Sequence, residues 1–409
     1  MIGTTDDRHR SPETQNAKNI SDCAASGFNL GFGMSATRSV TLHWLPTGQE
    51  IFPAILAAIA AARRSIQFEV YYYADGQLGR KFCEALTVAA QRGVQVQVLV
   101  DAVGSWMLPG NYFQPLIKAG GQMRRFNPLH YSRFGVRDHR KLLVCDELTV
   151  FIGGFNISDE YNGDGVNHGW CDLGARMDDI DLAKDLGASF NALFKMADFH
   201  RKPLLRLRLF RRKRGTRAVG NLLFTHPGRG ASPFQAALYR DLKTASDVRI
   251  ISAYFLPTRR LRRELMRVVR RGGRVQLILA GKTDVRISQL AARSLYHRLL
   301  KAGMEIYEYQ PQVLHAKMII CDQTTYLGSS NLDIRSLNLN YELMLRLPDK
   351  TVSQSAKKIF DARLEYSKPI ERGAWRGIRS FWQRWHFHWA HFLLARIDPL
   401  VALWQFRKL

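Results

Sequence analysis

The sequence predicts an α/β protein that is built from two similar halves, each a largely parallel sheet covered by helices. Three observations predict this class. The chain has 409 residues, more than a usual single domain. Segments typical of strands alternate with segments typical of helices. The same order of segments then occurs a second time, which indicates a duplication within the chain.

The two copies begin in the same way. In the first, a strand-like run at 66–73 precedes a helical pattern that ends at Arg92-Gly93, and a valine-rich strand follows at 94–100. The second copy has a strand at 248–256, a helix that ends at 271–273 and a strand at 275–280. Each half continues with a helix that ends in Lys-Ala-Gly, at 118–120 and 301–303. This alternation predicts a largely parallel sheet in each half.

Composition changes mark the boundaries between segments. We predict a disordered tail at 1–40, a first half at 41–199, a basic linker at 200–220, a second half at 221–372 and an aromatic, basic segment at 373–409. Leucines interleave the charges of the linker, so it is either a solvated surface segment or a contact for phosphate or membrane. The apolar stretch at 52–62 is too short to span a bilayer, so we expect a core helix there and no transmembrane anchor.

Charge indicates the class of partner. The net charge of +25 and a pI near 10.2 favour a polyanion, either nucleic acid or an anionic membrane surface. The five cysteines are odd in number and show no CxxC spacing, so neither a disulfide framework nor a zinc site is predicted. A reducing compartment is the simpler interpretation.

Each half carries one His-x-Lys-x4-Asp motif. The first consists of His139, Lys141 and Asp146, and the second of His315, Lys317 and Asp322. Side chains two apart on a strand emerge on one face, so an imidazole lies beside an ammonium. A single histidine on an apolar strand is usually a core residue, but two matches within a duplicated frame indicate function.

Two histidines suit displacement at a phosphodiester. A covalent route needs a nucleophile on phosphorus and an acid on the leaving oxygen, and each half supplies one imidazole. The lysines would neutralise the equatorial oxygens of the transition state, so we predict no metal and no cofactor. Glycine-rich turns follow the motifs at 153–156 and 328–331, where the backbone could approach a phosphate. The polar side chains expected to bind its oxygens are Asn156, Ser329 and Asn331.

A catalytic imidazole also needs a carboxylate that fixes its tautomer. Asp172 and Glu342 follow the two motifs at similar distances, and each precedes a leucine of an apolar strand. We predict that these two carboxylates orient the histidines. The alternative is that both are surface acids of their strands.

The paired motifs resemble those of the phospholipase D superfamily. Within it, residues 153–156, 253–257, 328–333 and 336–338 are similar to the short bacterial cardiolipin synthases that lack N-terminal transmembrane helices. The resemblance covers the chain from about Val40 onward. It implies a duplicated, pseudo-symmetric α/β/α sandwich of the phospholipase D type with the active site between the halves. We expect a peripheral enzyme on the cytoplasmic face of a bacterial inner membrane.

The resemblance also implies a two-step reaction. His139 would attack the phosphorus of phosphatidylglycerol while His315 protonates the departing glycerol. A second phosphatidylglycerol, deprotonated by His315, would then attack the phosphohistidine and give cardiolipin. Asp146 and Asp322 would be structural supports. Phosphatidylethanolamine as a co-substrate stays open, and so does the oligomeric state.

The C-terminal segment favours a lipid substrate. Five of the eight tryptophans lie between 375 and 404, interleaved with arginines and histidines, as in segments that lie in a membrane interface. Two alternatives are a helical pair that packs its tryptophans on the protein and a metal site made by His386, His388 and His391.

We expect an anionic phospholipid membrane as partner, and no nucleic acid. A phosphodiesterase that hydrolyses phospholipid or nucleic acid and a non-catalytic membrane scaffold remain the competing functions.

Overall fold

The structure, a computed structural model, describes residues 42–128, 135–197, 221–228, 230–377 and 381–394. The predicted tail at 1–40 and linker at 200–220 lie outside them. Strands of the first half are β1 (Leu42–Leu45), β2 (Ser65–Val70), β3 (Gln95–Asp101), β4 (Gln122–Phe126), β5 (Leu142–Cys145), β6 (Thr149–Gly153) and β7 (Gly174–Asp178). Strands of the second half are β8 (Leu222–Thr225), β9 (Asp247–Ser252), β10 (Arg274–Lys282), β11 (Glu305–Val313), β12 (Lys317–Cys321), β13 (Thr324–Gly328), β14 (Glu342–Pro348) and β15 (Ser367–Pro369).

Helices connect these strands. Those of the first half are α1 (Gly48–Ala61), α2 (Gln77–Gln91), α3 (Gln114–Lys118) and α4 (Ile180–Met196), with a 3-10 turn at Asp159–Tyr161. Those that follow are α5 (Pro233–Leu242), α6 (Arg259–Arg270), α7 (Arg286–Lys301), α8 (Ile334–Asn338), α9 (Lys350–Glu365), α10 (Arg372–Gly377) and α11 (Phe381–Phe392). Gly93 and Gly272, with φ of 87° and 84°, follow α2 and α6 and take the left-handed conformation that ends a helix.

The order of the strands confirms the duplicated fold class. The first sheet runs β1-β7-β6-β5-β2-β3-β4, and the second runs β8-β14-β13-β12-β9-β10-β11-β15. Seven strands therefore match one to one, and β15 is an addition at the edge of the second sheet. Helices α1 and α2 pack on one face of the first sheet, and α5, α6 and α7 do the same in the second.

The prediction of largely parallel sheets was wrong. Strands β2, β3 and β4 run parallel to one another, whereas each of the neighbouring pairs β2–β5, β5–β6, β6–β7 and β7–β1 is antiparallel. The second sheet has the same division into parallel and antiparallel pairs. The reason is the short connection after each motif, at 146–148 and 322–323, which can join only antiparallel neighbours. Asp146 and Asp322 open these turns at φ of 54° and 51°, a conformation that aspartate tolerates better than most residues.

Two of the four core clusters combine both halves. In one, Leu186 and Phe190 of α4 pack with Leu343 and Leu345 of β14. In the other, Leu173 and Ala175 of the first half pack with Phe360 of α9. The two sheets therefore share apolar cores, and residues at their junction are fixed by both. No helix in the described part of the chain is long and apolar enough to cross a membrane.

Candidate active site

The two motif histidines lie just before β5 and β12, and each is held by the opposite half. The His139 N–H donates to the Tyr341 carbonyl oxygen over 3.0 Å, and the His315 N–H donates to the Cys171 carbonyl oxygen over 2.7 Å. Each of these carbonyls belongs to the residue immediately before a predicted orienting carboxylate. The backbone therefore places each histidine beside a carboxylate from the other half.

The carboxylate pairs are crossed between the halves. His139 Nδ1 lies 3.0 and 3.1 Å from the two carboxyl oxygens of Glu342, and His315 Nδ1 lies 2.6 Å from Asp172 Oδ2. All four side chains are buried. Because Nδ1 of each ring is engaged by a carboxylate, Nε2 is the nitrogen left for chemistry.

The two carboxylates differ in their electrostatics. Burial raises the pKa of Glu342 to about 8, and the nearby Lys141 and the Ser329 hydroxyl offset only part of that rise. Burial also acts on Asp172, but the charges of His315 and Lys317 outweigh it and hold the pKa of Asp172 below its usual value. At neutral pH, the partner of His139 is therefore largely protonated and the partner of His315 is ionised.

The pKa values of both histidines are lowered, but the surroundings of the two rings differ. Burial, followed by the charges of Lys141 and Lys317, holds the pKa of His139 well below its usual value. Burial and Lys317 also lower the pKa of His315, but Asp172 opposes this shift by its charge and its hydrogen bond. His315 is therefore the imidazole that binds a proton more readily when an anion enters.

The motif lysines lie next to the histidines, and the ammonium group of each donates to a backbone carbonyl oxygen. Lys141 Nζ donates to the His139 carbonyl oxygen over 2.7 Å. Lys317 Nζ donates to the His315 carbonyl oxygen and lies 2.9 Å from the Nδ1 of the same ring. Burial lowers the pKa of Lys141 to about 7 and that of Lys317 to about 8. The two lysines supply a positive potential that an anionic ligand would strengthen.

Both histidines open into one cavity of about 440 Å³. Aromatic rings pack around the imidazoles: Tyr71 lies 4.9 Å from His139 between ring centroids, and Tyr161 lies 5.2 Å from His315. Residues of both halves line this cavity. The two motifs therefore contribute to a single site, in which a substrate can reach both imidazoles.

The three predicted phosphate-binding side chains fall into different places. Asn156 and Asn331 line the cavity. Asn156 is already engaged, since it accepts from the Tyr72 N–H and donates to the Tyr161 hydroxyl. The Oδ1 of Asn331 is buried and has no hydrogen-bond partner among the described residues. Ser329 donates to Glu342 Oε2 over 2.5 Å, so it contacts the carboxylate rather than the cavity.

The motif aspartates lie at the far ends of β5 and β12. Asp146 accepts the backbone N–H groups of Arg63, Arg64 and Ser65 at 2.7 to 2.9 Å. These bonds outweigh the effect of burial and lower the pKa of Asp146. Asp322 in the same way accepts the N–H groups of Ser246 and Asp247. Both carboxylates tie the hairpin turn to the start of the neighbouring strand.

The glycine-rich turns serve packing rather than phosphate approach. A Cβ on Gly154 would lie 2.1 Å from the Asp172 carboxylate, and one on Gly153 would lie 2.6 Å from the Gly174 Cα. A Cβ on Gly328 would lie 2.1 Å from the Leu343 carbonyl oxygen. The turns are glycine-rich because β6 and β13 must approach the strands that carry the orienting carboxylates.

Several cavity residues were missed by the sequence patterns. They are Tyr71, Tyr72, Arg137, Tyr254, Asp284, Asp333 and Arg335. The repeat contained one signal, since Tyr72 and Tyr254 both stand two residues past the end of matching strands, β2 and β9. Tyr254 donates to Asp284 over 2.7 Å, and burial raises the pKa of Asp333 to about 6. Asp284 lies in a loop that no strand or helix pattern marks, whereas Asp333 is the N-cap of α8 and belongs to the segment 328–333 that carries the family resemblance.

The C-terminal segment divides between core and surface. Trp375 is buried, with its ring 5.0 Å from Tyr296 and 6.2 Å from Phe387 between centroids, so the alternative of packing on the protein holds for this tryptophan. Trp389 is exposed. Outside the described side chains lie Arg376, Arg379, Trp382, Arg384, Trp385, Arg396, Pro399 and Trp404. In the described part of the chain no three His, Cys, Asp or Glu side chains are grouped to hold a metal ion.

The fold and the paired site together define a phosphodiester-transferring enzyme of the phospholipase D type. The family described as "Cardiolipin synthase, PLD-like domain" matches residues 55–193 and 238–364. Cardiolipin synthase B of Salmonella typhi is 33% identical over 339 residues, which cover 77% of this chain and 78% of that protein. Cardiolipin synthase 1 of Bacillus anthracis is 29% identical over 361 residues, which cover 85% of this chain and 70% of that protein.

A solved structure shows the same fold. Phosphatidylserine synthase of Haemophilus influenzae Rd KW20 superposes with a TM-score of 0.67 at 15% identity, and the match covers 88% of this chain and 95% of that one. The chain belongs to the PLD-like cardiolipin synthase family, and it is an enzyme of the phosphatidyltransferase class. The family and fold predicted from the paired motifs are thereby confirmed.

Proposed function

We propose that this enzyme transfers the phosphatidyl group of one phosphatidylglycerol to a hydroxyl of a second, giving cardiolipin and glycerol through a phosphohistidine on His139. The observation that carries the proposal is the crossed arrangement of the site. Two buried imidazoles, each backed by a carboxylate of the other half, share one cavity. This arrangement supplies a nucleophile and a separate proton carrier, the two groups that transfer through a covalent intermediate needs.

The electrostatics favour His139 as the nucleophile. The pKa of His139 is held well below its usual value, so its Nε2 lone pair is free at neutral pH. In the first step, Nε2 of His139 forms a bond to phosphorus while the bond from phosphorus to the glycerol oxygen breaks. His315 gives its Nε2 proton to that oxygen, and the ionised Asp172 stabilises the imidazolium that carried it.

The second step reverses the proton transfer. The hydroxyl of the second phosphatidylglycerol loses its proton to Nε2 of His315, and its oxygen bonds to phosphorus as the bond from His139 breaks. The products are cardiolipin and the free enzyme. An anionic phosphate in the cavity raises the pKa of Lys141 and Lys317, so both lysines hold their charge beside the reacting group.

We also propose that the protein works as a peripheral protein on an anionic membrane, at the cytoplasmic face of a bacterial inner membrane. The net charge of +25 supports this, and so do apolar side chains around the cavity. Val103 and Leu394 line the cavity. Close to them in the chain, Trp106, Met107 and Phe392 are 65%, 71% and 52% exposed. Such side chains would enter the headgroup region when the cavity faces the bilayer.

Vesicle binding tests the membrane proposal. A Trp106→Ala, Met107→Ala, Phe392→Ala triple variant should co-sediment less with phosphatidylglycerol vesicles and melt at the wild-type temperature. Ile180→Ala is the matched control, since Ile180 is also 52% exposed but lies at the start of α4. Wild-type binding by the triple variant would refute this surface. Point substitutions are preferable to truncation because Trp375 and Phe387 belong to the core.

Product analysis tests the reaction. Purified protein with phosphatidylglycerol vesicles should form cardiolipin and free glycerol in equal amounts. Phosphatidic acid as the only product would make the enzyme a hydrolase, because water would then be the group that reaches the intermediate.

A further inference from the structure

A second cavity, of about 1090 Å³, lies beside the catalytic one. We call it the arginine cavity, after Arg259, Arg262, Arg263 and Arg298, which line it. Helices α6 and α7 supply these arginines, and α8 and α11 complete the walls. No aspartate or glutamate is among its described lining residues. The cavity is therefore a concave surface of one sign of charge, which concentrates anions.

The arginines of this cavity differ from their neighbours on the same helices. Arg267 of α6 donates to Glu264 over 2.8 Å, and Arg293 of α7 donates to Glu308 over 2.9 Å. Within the described residues no carboxylate pairs with the four cavity arginines. The Nε of Arg262 is buried and has no hydrogen-bond partner there. A buried guanidinium donor without an acceptor is costly, and a bound anion would satisfy it.

Two further features point to an anion of phosphate type. Burial, with the charges of Arg298 and Arg259, lowers the pKa of Arg262, so the cluster is under mutual repulsion that an anion would relieve. The start of α6 also faces the cavity, since Pro257, Thr258 and Arg259 line it. The N-terminus of a 12-residue helix adds partial positive charge at that wall.

The position of the arginine cavity suggests which phosphate it takes. Leu256 and Ile334 line both cavities, so the two spaces adjoin across these side chains. Cardiolipin carries two phosphates on one three-carbon glycerol. If one phosphate lies at His139 and His315, the other must lie close by.

We propose that the arginine cavity binds the phosphate of the second phosphatidylglycerol, the one whose hydroxyl attacks and whose own phosphodiester does not react. The inference rests on the proposed function and adds a determinant of acceptor choice. An acceptor with a phosphate is held beside the phosphohistidine, whereas water and simple alcohols gain nothing from the arginines. The cavity thereby favours transfer over hydrolysis.

A partition experiment tests this inference. Wild type is given phosphatidylglycerol vesicles with 1-propanol, and the ratio of cardiolipin to phosphatidylpropanol is measured. Both products arise from the same intermediate, so the ratio reports only the choice of acceptor. Arg262→Gln should lower the ratio about tenfold and the Arg262→Gln, Arg298→Gln double variant about a hundredfold, as expected for the loss of charge-assisted hydrogen bonds. Arg262→Lys should recover part of the loss.

The control is Arg270→Gln, which removes one positive charge from the same helix outside the cavity and should leave the ratio unchanged. A double variant that melts normally and keeps the wild-type ratio would refute the inference. If wild type makes neither product, the proposed function itself has failed, and this is seen before any variant is compared.

Inorganic phosphate separates a lipid site from a site for free phosphate. A site for the lipid headgroup predicts that millimolar phosphate, without lipid, leaves the melting temperature of the wild type unchanged. If phosphate raises the melting temperature of the wild type and not of Arg262→Gln, and Arg262→Gln keeps the wild-type product ratio, the cavity takes free phosphate and the assignment to the acceptor lipid is wrong.

Discussion

The two halves carry the same motif but surround its histidine differently. His139 lies against both oxygens of Glu342, whose pKa is about 8, whereas His315 makes one short contact with Asp172, whose pKa is below its usual value. The duplication places one imidazole in each half at equivalent positions, and the different carboxylates beside them give the two imidazoles different surroundings. A histidine whose pKa is held well below its usual value keeps a free lone pair for attack on phosphorus, and one beside an ionised carboxylate suits proton transfer.

The largest effect is expected from removing either histidine. His139→Ala and His315→Ala should each lower cardiolipin formation by about 10⁴-fold or more, since one removes the nucleophile and the other the proton carrier. The measurement is product formation from phosphatidylglycerol vesicles, with circular dichroism to show that both variants are folded. Activity that persists in both variants would refute a site shared by the two halves.

The carboxylates should differ in the size of their effect. Asp172→Asn removes an ionised partner and should lower kcat roughly 10³-fold, as expected when an imidazole loses its orienting charge. Glu342→Gln replaces a group that is largely protonated at pH 7, so we expect a loss of about tenfold. Steady-state kinetics at pH 7 compare the two variants. A greater loss of kcat in Glu342→Gln than in Asp172→Asn would contradict the assignment of the ionised carboxylate to His315.

The pKa values of the two motif lysines predict how kcat/KM depends on pH. With pKa values of about 7 and about 8, Lys141 and Lys317 lose their protons as pH rises through that range, and the positive potential at the phosphate falls. For the free enzyme, kcat/KM should therefore decrease as pH rises from about 6 to about 9. Lys141→Gln should keep only the decrease that belongs to Lys317. A wild-type profile that is flat or rises over this range would contradict this.

The smallest catalytic effect is expected at the motif aspartates. Asp146→Ala frees three backbone N–H groups at the start of β2, and should reduce the free energy of unfolding by about 1–3 kcal/mol. Urea unfolding measures this change. In the folded variant kcat should stay within a few-fold of wild type, and Asp322→Ala should behave alike. A loss of kcat as large as that of His139→Ala would assign the aspartates a role in proton transfer.

Local patterns predicted much of the fold. Glycines after α2 and α6 marked the helix ends, a valine-rich run marked β3, and the apolar run at 275–280 marked β10. Both carboxylates beside the histidines were named from their positions in the repeat. The crossed pairing was not predicted, because Glu342 reaches His139 only through the packing of one half on the other. Burial of Trp375 against Tyr296 and the orientation of the lysines depend on long-range contacts of the same kind.

The most direct test of the inequality between the halves uses an activated substrate, phosphatidyl-p-nitrophenol. Its leaving group departs without a proton, so forming the phosphohistidine needs the nucleophile but not the acid. His315→Ala should release a burst of one p-nitrophenolate per active site and then stall, while His139→Ala should release no burst. A burst from His139→Ala and none from His315→Ala would contradict the account and give the nucleophile to the second half.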